Sequence, residues 1–118
     1  QPVIAPDSPF THLVLAHNIT PDHKPDAPAV VFAPRQEPVY LFFDYRGIET
    51  GTPWSVVWLW DEVVLEKSED VWPEDYGVAG TAWVYFAPAF GFQPGPYAVL
   101  LQVNGETVAR IDFLVQGE

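Results

Sequence analysis

The chain has 118 residues with a formal net charge of −11, and it contains 13 prolines, 8 glycines and no cysteine or methionine. This length suits one domain, and the acidic charge argues against nucleic acid and anionic lipid as partners. Disulfides and cysteine–metal sites are excluded, and no apolar run is long enough to predict membrane insertion. With 15% aromatic residues, the composition favours an all-β fold over helices or disorder.

The first half of the chain predicts two strands after an extended lead-in over residues 1–9. The strands cover residues 10–17 and 37–46, where apolar residues are frequent and side chains alternate between two faces. Residues 18–34 hold four prolines and predict a long loop. Within that loop, residues 29–32 are apolar and form either a short edge strand or an extended segment on the core.

The middle of the chain predicts a tryptophan-rich strand over residues 54–61, in which Trp54, Trp58 and Trp60 alternate onto one face. Trp58 is predicted to be the central core tryptophan, and Trp83 is also assigned to the core. Residues 63–67 predict a partner strand and residues 81–86 a further strand. The acidic segment between those two strands, residues 68–80, is predicted to be irregular.

The end of the chain predicts a β-hairpin around Asn104 and Gly105. Asn-Gly between two β-rich runs favours a type I′ turn, because both central residues of that turn need a positive φ. The flanking strands cover residues 97–103 and 107–115. Alternation in the second strand places Phe113 on the core face, opposite a face that carries both Arg110 and Asp112.

About seven strands at intervals of roughly 8–12 residues predict an immunoglobulin-like β-sandwich of antiparallel strands, formed by residues 1–118 as a single domain. Two motifs carry a family resemblance: Val-Tyr-x-Phe-Phe-x-Tyr-x-Gly at residues 39–47, and Pro-Gly-x-Tyr-x-Val-x-Leu-x-Val-x-Gly at residues 94–105. With the spacing of the tryptophans, they resemble the small immunoglobulin-like (fibronectin III-like) accessory modules of bacterial extracytoplasmic proteins. Trp58 then corresponds to the buried tryptophan of such sandwiches, and Tyr97 to their tyrosine corner.

The resemblance implies a non-catalytic module, exported from a bacterial cell, with no catalytic residues to transfer. The start of the chain, Gln-Pro, is interpreted as a sign that upstream sequence, a signal peptide or other domains, is missing. The residues themselves show no Gly-x-Ser-x-Gly motif and no glycine-rich phosphate loop. We therefore predict no enzymatic activity, no catalytic residue and no cofactor.

Two sets of potential metal ligands are weighed. The histidines His12, His17 and His23 lack the spacing of a shared site and are interpreted as exposed or edge residues. Seven carboxylates lie within residues 61–75, a number that would suit calcium, but the Asp-x-Asp-x-Asp-Gly spacing is missing. The favoured interpretation of this segment is a solvated edge hairpin whose charges discourage aggregation. No metal ligand is therefore predicted.

The tryptophans supply the candidate binding residues. The assignment of Trp58 and Trp83 to the core leaves Trp54, Trp60 and Trp72 as the predicted exposed aromatics. The predicted function is a binding or assembly module whose partner is a protein or another domain of the same polypeptide. The alternative is a carbohydrate-binding module, in which aromatic residues form a flat platform that stacks on sugar rings; the candidates are Trp54, Trp58, Trp60, Trp83 and Tyr85. A co-planar, exposed strip of Trp54, Trp60 and Trp72 would favour this alternative. Burial or scattering of the three rings would count against that alternative.

Overall fold

The computed structural model describes residues 2–34, 38–89 and 91–116, and these residues form ten β-strands and one short 3-10 turn. The 3-10 turn covers Glu74–Tyr76. In chain order the strands are β1 (Val3–Ile4), β2 (Phe10–Ile19), β3 (Pro25–Pro28), β4 (Val31–Phe32), β5 (Val39–Arg46), β6 (Pro53–Trp60), β7 (Val63–Val71), β8 (Ala79–Phe86), β9 (Gly95–Val103) and β10 (Glu106–Val115).

The strands form two sheets that pack face to face as an all-β sandwich, as the sequence predicts. The six-stranded sheet has the order β1-β10-β9-β6-β7, with β4 paired to β10, and the four-stranded sheet has the order β3-β2-β5-β8. Neighbouring strands are antiparallel except for β4, which runs parallel to β10. Because β7 and β8 end their respective sheets, their edges have no further strand partner within the described residues.

The predicted number of about seven strands is wrong, and the difference comes from short strands near proline-rich segments. β1 lies inside the predicted lead-in, while β3 and β4 lie inside the predicted loop over residues 18–34. β3 begins and ends with proline and sits at a sheet edge, where a missing N–H donor is tolerated. The predicted strand over residues 37–46 is β5, which begins at Val39; residue 37 lies outside the described residues.

The prediction of an irregular segment over residues 68–80 is also wrong at both ends. β7 continues to Val71 because it pairs with β6 along its full length, from Trp60 opposite Val63 to Pro53 opposite Val71. β8 begins at Ala79, which pairs with Arg46 of β5. Pairing with an established neighbour therefore extends both strands beyond the apolar runs visible in the sequence.

The core lies between the inner faces of the two sheets and is centred on Trp58, which is 2% exposed. Its ring lies 5.3 Å from the ring of Phe86 in the facing sheet and 6.4 Å from that of Phe113 in its own sheet. Alternation along β10 buries Ala109, Ile111, Phe113 and Val115, so Phe113 lies on the core face as predicted.

The closing hairpin has the predicted turn. Asn104 and Gly105 have φ values of 53° and 84°, the positive range that a type I′ turn requires at both positions. The Tyr97 hydroxyl donates a hydrogen bond of 2.7 Å to the backbone oxygen of Gln93. This bond to upstream backbone is the contact expected of a tyrosine corner, and burial raises the pKa of the Tyr97 hydroxyl.

Candidate functional site

Trp72, predicted to be an exposed binding residue, is only 1% exposed. It follows β7, where the chain leaves the six-stranded sheet for β8, so its ring closes one end of the interior. Its ring centroid lies 4.8 Å from that of Tyr45 and 5.1 Å from that of Tyr76. The prediction is wrong because a segment that crosses between two sheets can direct a large side chain into the space between them.

Trp54 and Trp60 are half-buried and held by their surroundings. The Trp54 ring meets that of Trp72 at an interplanar angle of 70° and a distance of 5.0 Å. The Trp60 Nε1 donates a 3.3 Å hydrogen bond to the Pro94 oxygen. The indole also packs closely on the backbone of Gly95, because a Cβ added there would lie only 2.7 Å from Nε1. The three predicted binding tryptophans therefore do not form a co-planar exposed strip, which counts against sugar stacking on them.

The prediction for Trp83 is wrong in the opposite sense: the sequence assigns this residue to the core, whereas its side chain is only half-buried. β8 is apolar on both faces, so the sequence does not reveal which face turns inward. In the structure Ala82 is buried, whereas Trp83 lies on the outer face with its ring 4.7 Å from the imidazole of His23. The neighbouring outward residue, Tyr85, is 63% exposed.

Most of the exposed apolar residues lie on one side of the sandwich, the side that carries β7 and β8. We call it the open side. Every residue of β7 is exposed, and β7 extends over nine residues. Of the ten exposed large hydrophobic residues in the described chain, three lie near the opposite edge, at Val3, Val30 and Val31. The other seven lie on β7, on β8 or in their connection: Val63, Val64, Leu65, Val71, Tyr76, Val78 and Tyr85.

A groove of about 280 Å³ runs between the two edge strands of the open side. Its polar wall comes from β7, where Ser68 and Asp70 share a face with Glu66, since alternate residues of a strand point the same way. Its apolar lining comes from Trp54, Val56 and Trp58 of β6 and from residues 83–85 of β8, where Val84 packs on the core and the neighbouring rings lie on the outer face. The groove therefore places the Asp70 carboxylate beside Trp54, its cross-strand neighbour, an environment that favours a cationic side chain.

The seven acidic residues of 61–75 are divided among three elements: Glu66, Glu69 and Asp70 on β7, Asp61 and Glu62 in the turn before it, and Glu74 and Asp75 in the 3-10 turn after it. Side chains alternate between two faces along β7, so Glu66 and Asp70 point away from Glu69, which instead forms a 3.3 Å ion pair with Lys67. No group of three or more histidine, aspartate or glutamate residues in the described chain is placed to hold a metal ion.

The three histidines have three different surroundings. His12 lies 2.9 Å from the Asp44 carboxylate, with its side chain 79% exposed. The His17 ring packs 4.6 Å from the Phe32 ring, and His23 packs on Trp83. Each imidazole thus belongs to a separate part of the four-stranded sheet or its loops.

Comparison with protein-family models, with curated proteins and with solved structures finds no match to this chain. Among the described residues, no helix has the length and apolar character needed to cross a membrane. The function is therefore inferred from the surfaces that the all-β sandwich presents.

Proposed function

We propose that this protein is a non-catalytic binding module that captures an extended segment of a partner protein, or of another domain of its own polypeptide, by adding it as a strand to β7. The observation that carries the proposal is the full exposure of this nine-residue edge strand. The edge of β7 away from β6 has no strand partner in the described chain, so its backbone N–H and C=O groups can pair with an incoming strand.

The side chains of β7 define the chemistry of the partner. Val63, Val64 and Leu65 are exposed at one end and Val71 at the other, so an incoming strand would bury apolar surface at both ends. Between them lie Glu66, Lys67, Ser68, Glu69 and Asp70, with a net negative charge. An extended segment that alternates basic and apolar residues complements this pattern.

The groove beside β7 adds specificity for the partner's basic residues. A lysine or arginine side chain from the added strand would reach Glu66 and Asp70, whose carboxylates are on the groove side of β7. Its cationic head would also lie near the ring of Trp54, which is the cross-strand neighbour of Asp70. Charge complementarity of this kind speeds association and selects the register of the strand.

The setting of the module is proposed from the family resemblance. Buried Trp58 and the Tyr97–Gln93 hydrogen bond support an immunoglobulin-like assignment for the sandwich. The modules that the chain resembles belong to exported bacterial proteins, so we propose an extracytoplasmic location and an assembly role there.

The proposal is tested with a capped octapeptide of alternating lysine and valine. We expect calorimetry to show binding and hydrogen exchange to show slower exchange of the β7 amides, because strand addition pairs them. The double substitution Glu66→Lys, Asp70→Lys should weaken binding roughly tenfold or more by reversing the charge beside β7. A glutamate–valine octapeptide should not bind.

The control variant carries Asp26→Lys and Glu106→Lys, which give the same total charge change at exposed positions on β3 and β10. This variant should bind the lysine–valine peptide with little loss. An equal loss in both variants would show non-specific attraction to an acidic protein. Unchanged exchange of the β7 amides in the presence of saturating peptide would contradict strand addition.

A further inference from the structure

We infer that the outer face of the four-stranded sheet is a second binding face, for a neutral saccharide, separate from the β7 edge and from the predicted tryptophan strip. This face carries two adjoining parts, an aromatic part built by β5 and β8 and a polar part built by β2, β5 and β8. The juxtaposition of aromatic rings with hydrogen-bonding groups on one open surface carries the inference.

The aromatic part consists of two neighbouring cross-strand pairs. Phe42 pairs with Trp83 and Tyr40 pairs with Tyr85, and their ring centroids lie 6.4 Å and 5.6 Å apart. Tyr40 also stacks along its own strand, 6.3 Å from Phe42 at an interplanar angle of 26°. Phe42 is buried at the base, Tyr40 and Trp83 are half-buried, and Tyr85 is exposed.

The polar part occupies the next row of the same face, about 7 Å along the strands, since residues two apart share a face. Asp44 is its centre, between Thr11 of β2 and Thr81 of β8 in the register of the sheet. The Thr81 hydroxyl donates a 2.8 Å hydrogen bond to Asp44 Oδ1, and His12 Nδ1 lies 2.9 Å from Asp44 Oδ2. These groups line a depression of about 530 Å³ whose rim includes Arg46 and Ser8.

A β-bulge in β2 brings His12 to this face. The register between β2 and β5 shifts between Thr11 and Val14, and His12 has a positive φ of 55°. As a result Thr11 and His12 are both exposed, while Phe10 and Leu13 on either side are buried. Bulges of this kind redirect a side chain, and a positive φ is unfavourable for histidine, so the backbone accepts strain to present this imidazole.

The ligand class follows from the chemistry of the two parts. A pyranose ring has C–H faces that pack on aromatic rings and an equatorial belt of hydroxyls that hydrogen-bond to carboxylate, imidazole and hydroxyl groups. A purely apolar ligand would desolvate Asp44 without replacing its lost hydration. An anionic ligand would be repelled by the net charge of −11, so the saccharide is a neutral one.

The test uses four neutral β-1,4-linked hexasaccharides, of glucose, xylose, mannose and N-acetylglucosamine, titrated to millimolar concentration. At least one is expected to shift the NMR signals of Trp83, Tyr85 and Thr81 and to change tryptophan fluorescence. Tyr85→Ala should weaken that binding roughly tenfold or more by removing the exposed ring, and Tyr85→Phe should retain it. Asp44→Asn should weaken binding while leaving affinity for the lysine–valine peptide unchanged.

Val3→Ala serves as the control, because Val3 is exposed on the opposite edge of the sandwich. The Glu66→Lys, Asp70→Lys variant should bind saccharide as the parent does, so failure of strand addition leaves this inference standing. Absence of binding by all four hexasaccharides would overturn it. Binding that survives both Tyr85→Ala and Asp44→Asn would also overturn it, because the saccharide would then lie elsewhere.

Discussion

The outer faces of the two sheets both carry apolar side chains, but they differ in exposure. The apolar residues of the six-stranded sheet are buried, and we call this the closed face; those of the four-stranded sheet are partly exposed to solvent, and we call this the open face. On the six-stranded sheet, Val57, Leu59 and Ala98 form a small second cluster, each at most 6% exposed, with Leu100 packed against it. On the four-stranded sheet, the aromatic residues leave Tyr85 exposed and Tyr40 and Trp83 half-exposed. Apolar composition alone therefore does not make a sheet face a binding face.

A charged bridge spans the outer face of the six-stranded sheet. Arg110 of β10 donates two hydrogen bonds to Glu62, of 3.2 and 2.6 Å, and its Nε donates one of 2.7 Å to Asp112. Glu62 lies in the turn between β6 and β7, so this bridge passes over β9, which separates β10 from β6. The aliphatic part of the arginine side chain can thus cover apolar surface while its guanidinium remains paired.

The largest expected difference between the faces is in stability. Leu59→Ala on the closed face should lower the free energy of unfolding by about 2–3 kcal/mol, because it leaves a cavity among buried neighbours. Tyr85→Ala on the open face should change it by only about 0.5 kcal/mol, because the ring is exposed. Urea unfolding of the two variants checks this comparison, and equal losses would show that Tyr85 is a packing residue.

Removal of the Arg110 bridge should lower the free energy of unfolding by less than Leu59→Ala does. Arg110→Met keeps an unbranched apolar side chain but removes the guanidinium, and we expect a loss on the order of 1 kcal/mol or less. The loss should shrink as salt is raised, since the ion pairs are partly exposed. Lys67→Met, which removes a single exposed ion pair on the edge strand, is the control and should cost less. A salt-independent loss would indicate that packing, rather than charge, closes the face.

The smallest expected effect is a dependence on pH at Glu62. Hydrogen bonds from Arg110 lower the pKa of this carboxyl from its ordinary value, because they stabilise its charged form. The contribution of the Glu62–Arg110 pair to the free energy of unfolding is therefore present above the ordinary glutamate pKa. It is lost as the pH falls through the lowered pKa of Glu62. An NMR titration of the Glu62 carboxyl should show its pKa rise toward the ordinary value in Arg110→Met. An unchanged pKa would contradict the bridge.

Features with a strong local cause were predictable from the sequence. Asn104 and Gly105 encode their turn because few other pairs accept two positive φ angles. In β10 the charged pair Arg110 and Asp112 lies on one face, so period-2 alternation identifies the opposite face, which carries Phe113, as the buried one. Trp58 was assigned to the core from its position in a middle strand, and it lies there.

Features that depend on contacts between distant segments were not predictable. The segment from Lys67 to Asp70 shows no β-strand pattern in the sequence. It is extended because β6 provides a strand partner along that length. Trp72 is buried because the chain crosses between sheets at that point, and no local pattern encodes a crossing. The face of Trp83 is ambiguous in the sequence because β8 is apolar on both sides. The sequence therefore offers Trp83 and Tyr85 for a sugar-stacking platform but favours the core for Trp83, and that preference is wrong.

The β2 bulge implies that this strand is one residue longer than the packing of the sandwich demands. Without His12, Phe10 and Leu13 would still alternate inward on either side of Thr11, and the strand would match β5 with no interruption. A shorter and less strained variant of the strand is therefore available to mutation by a single in-frame deletion. Deletion of His12 is therefore expected to leave the fold intact while it removes the imidazole from the outer face.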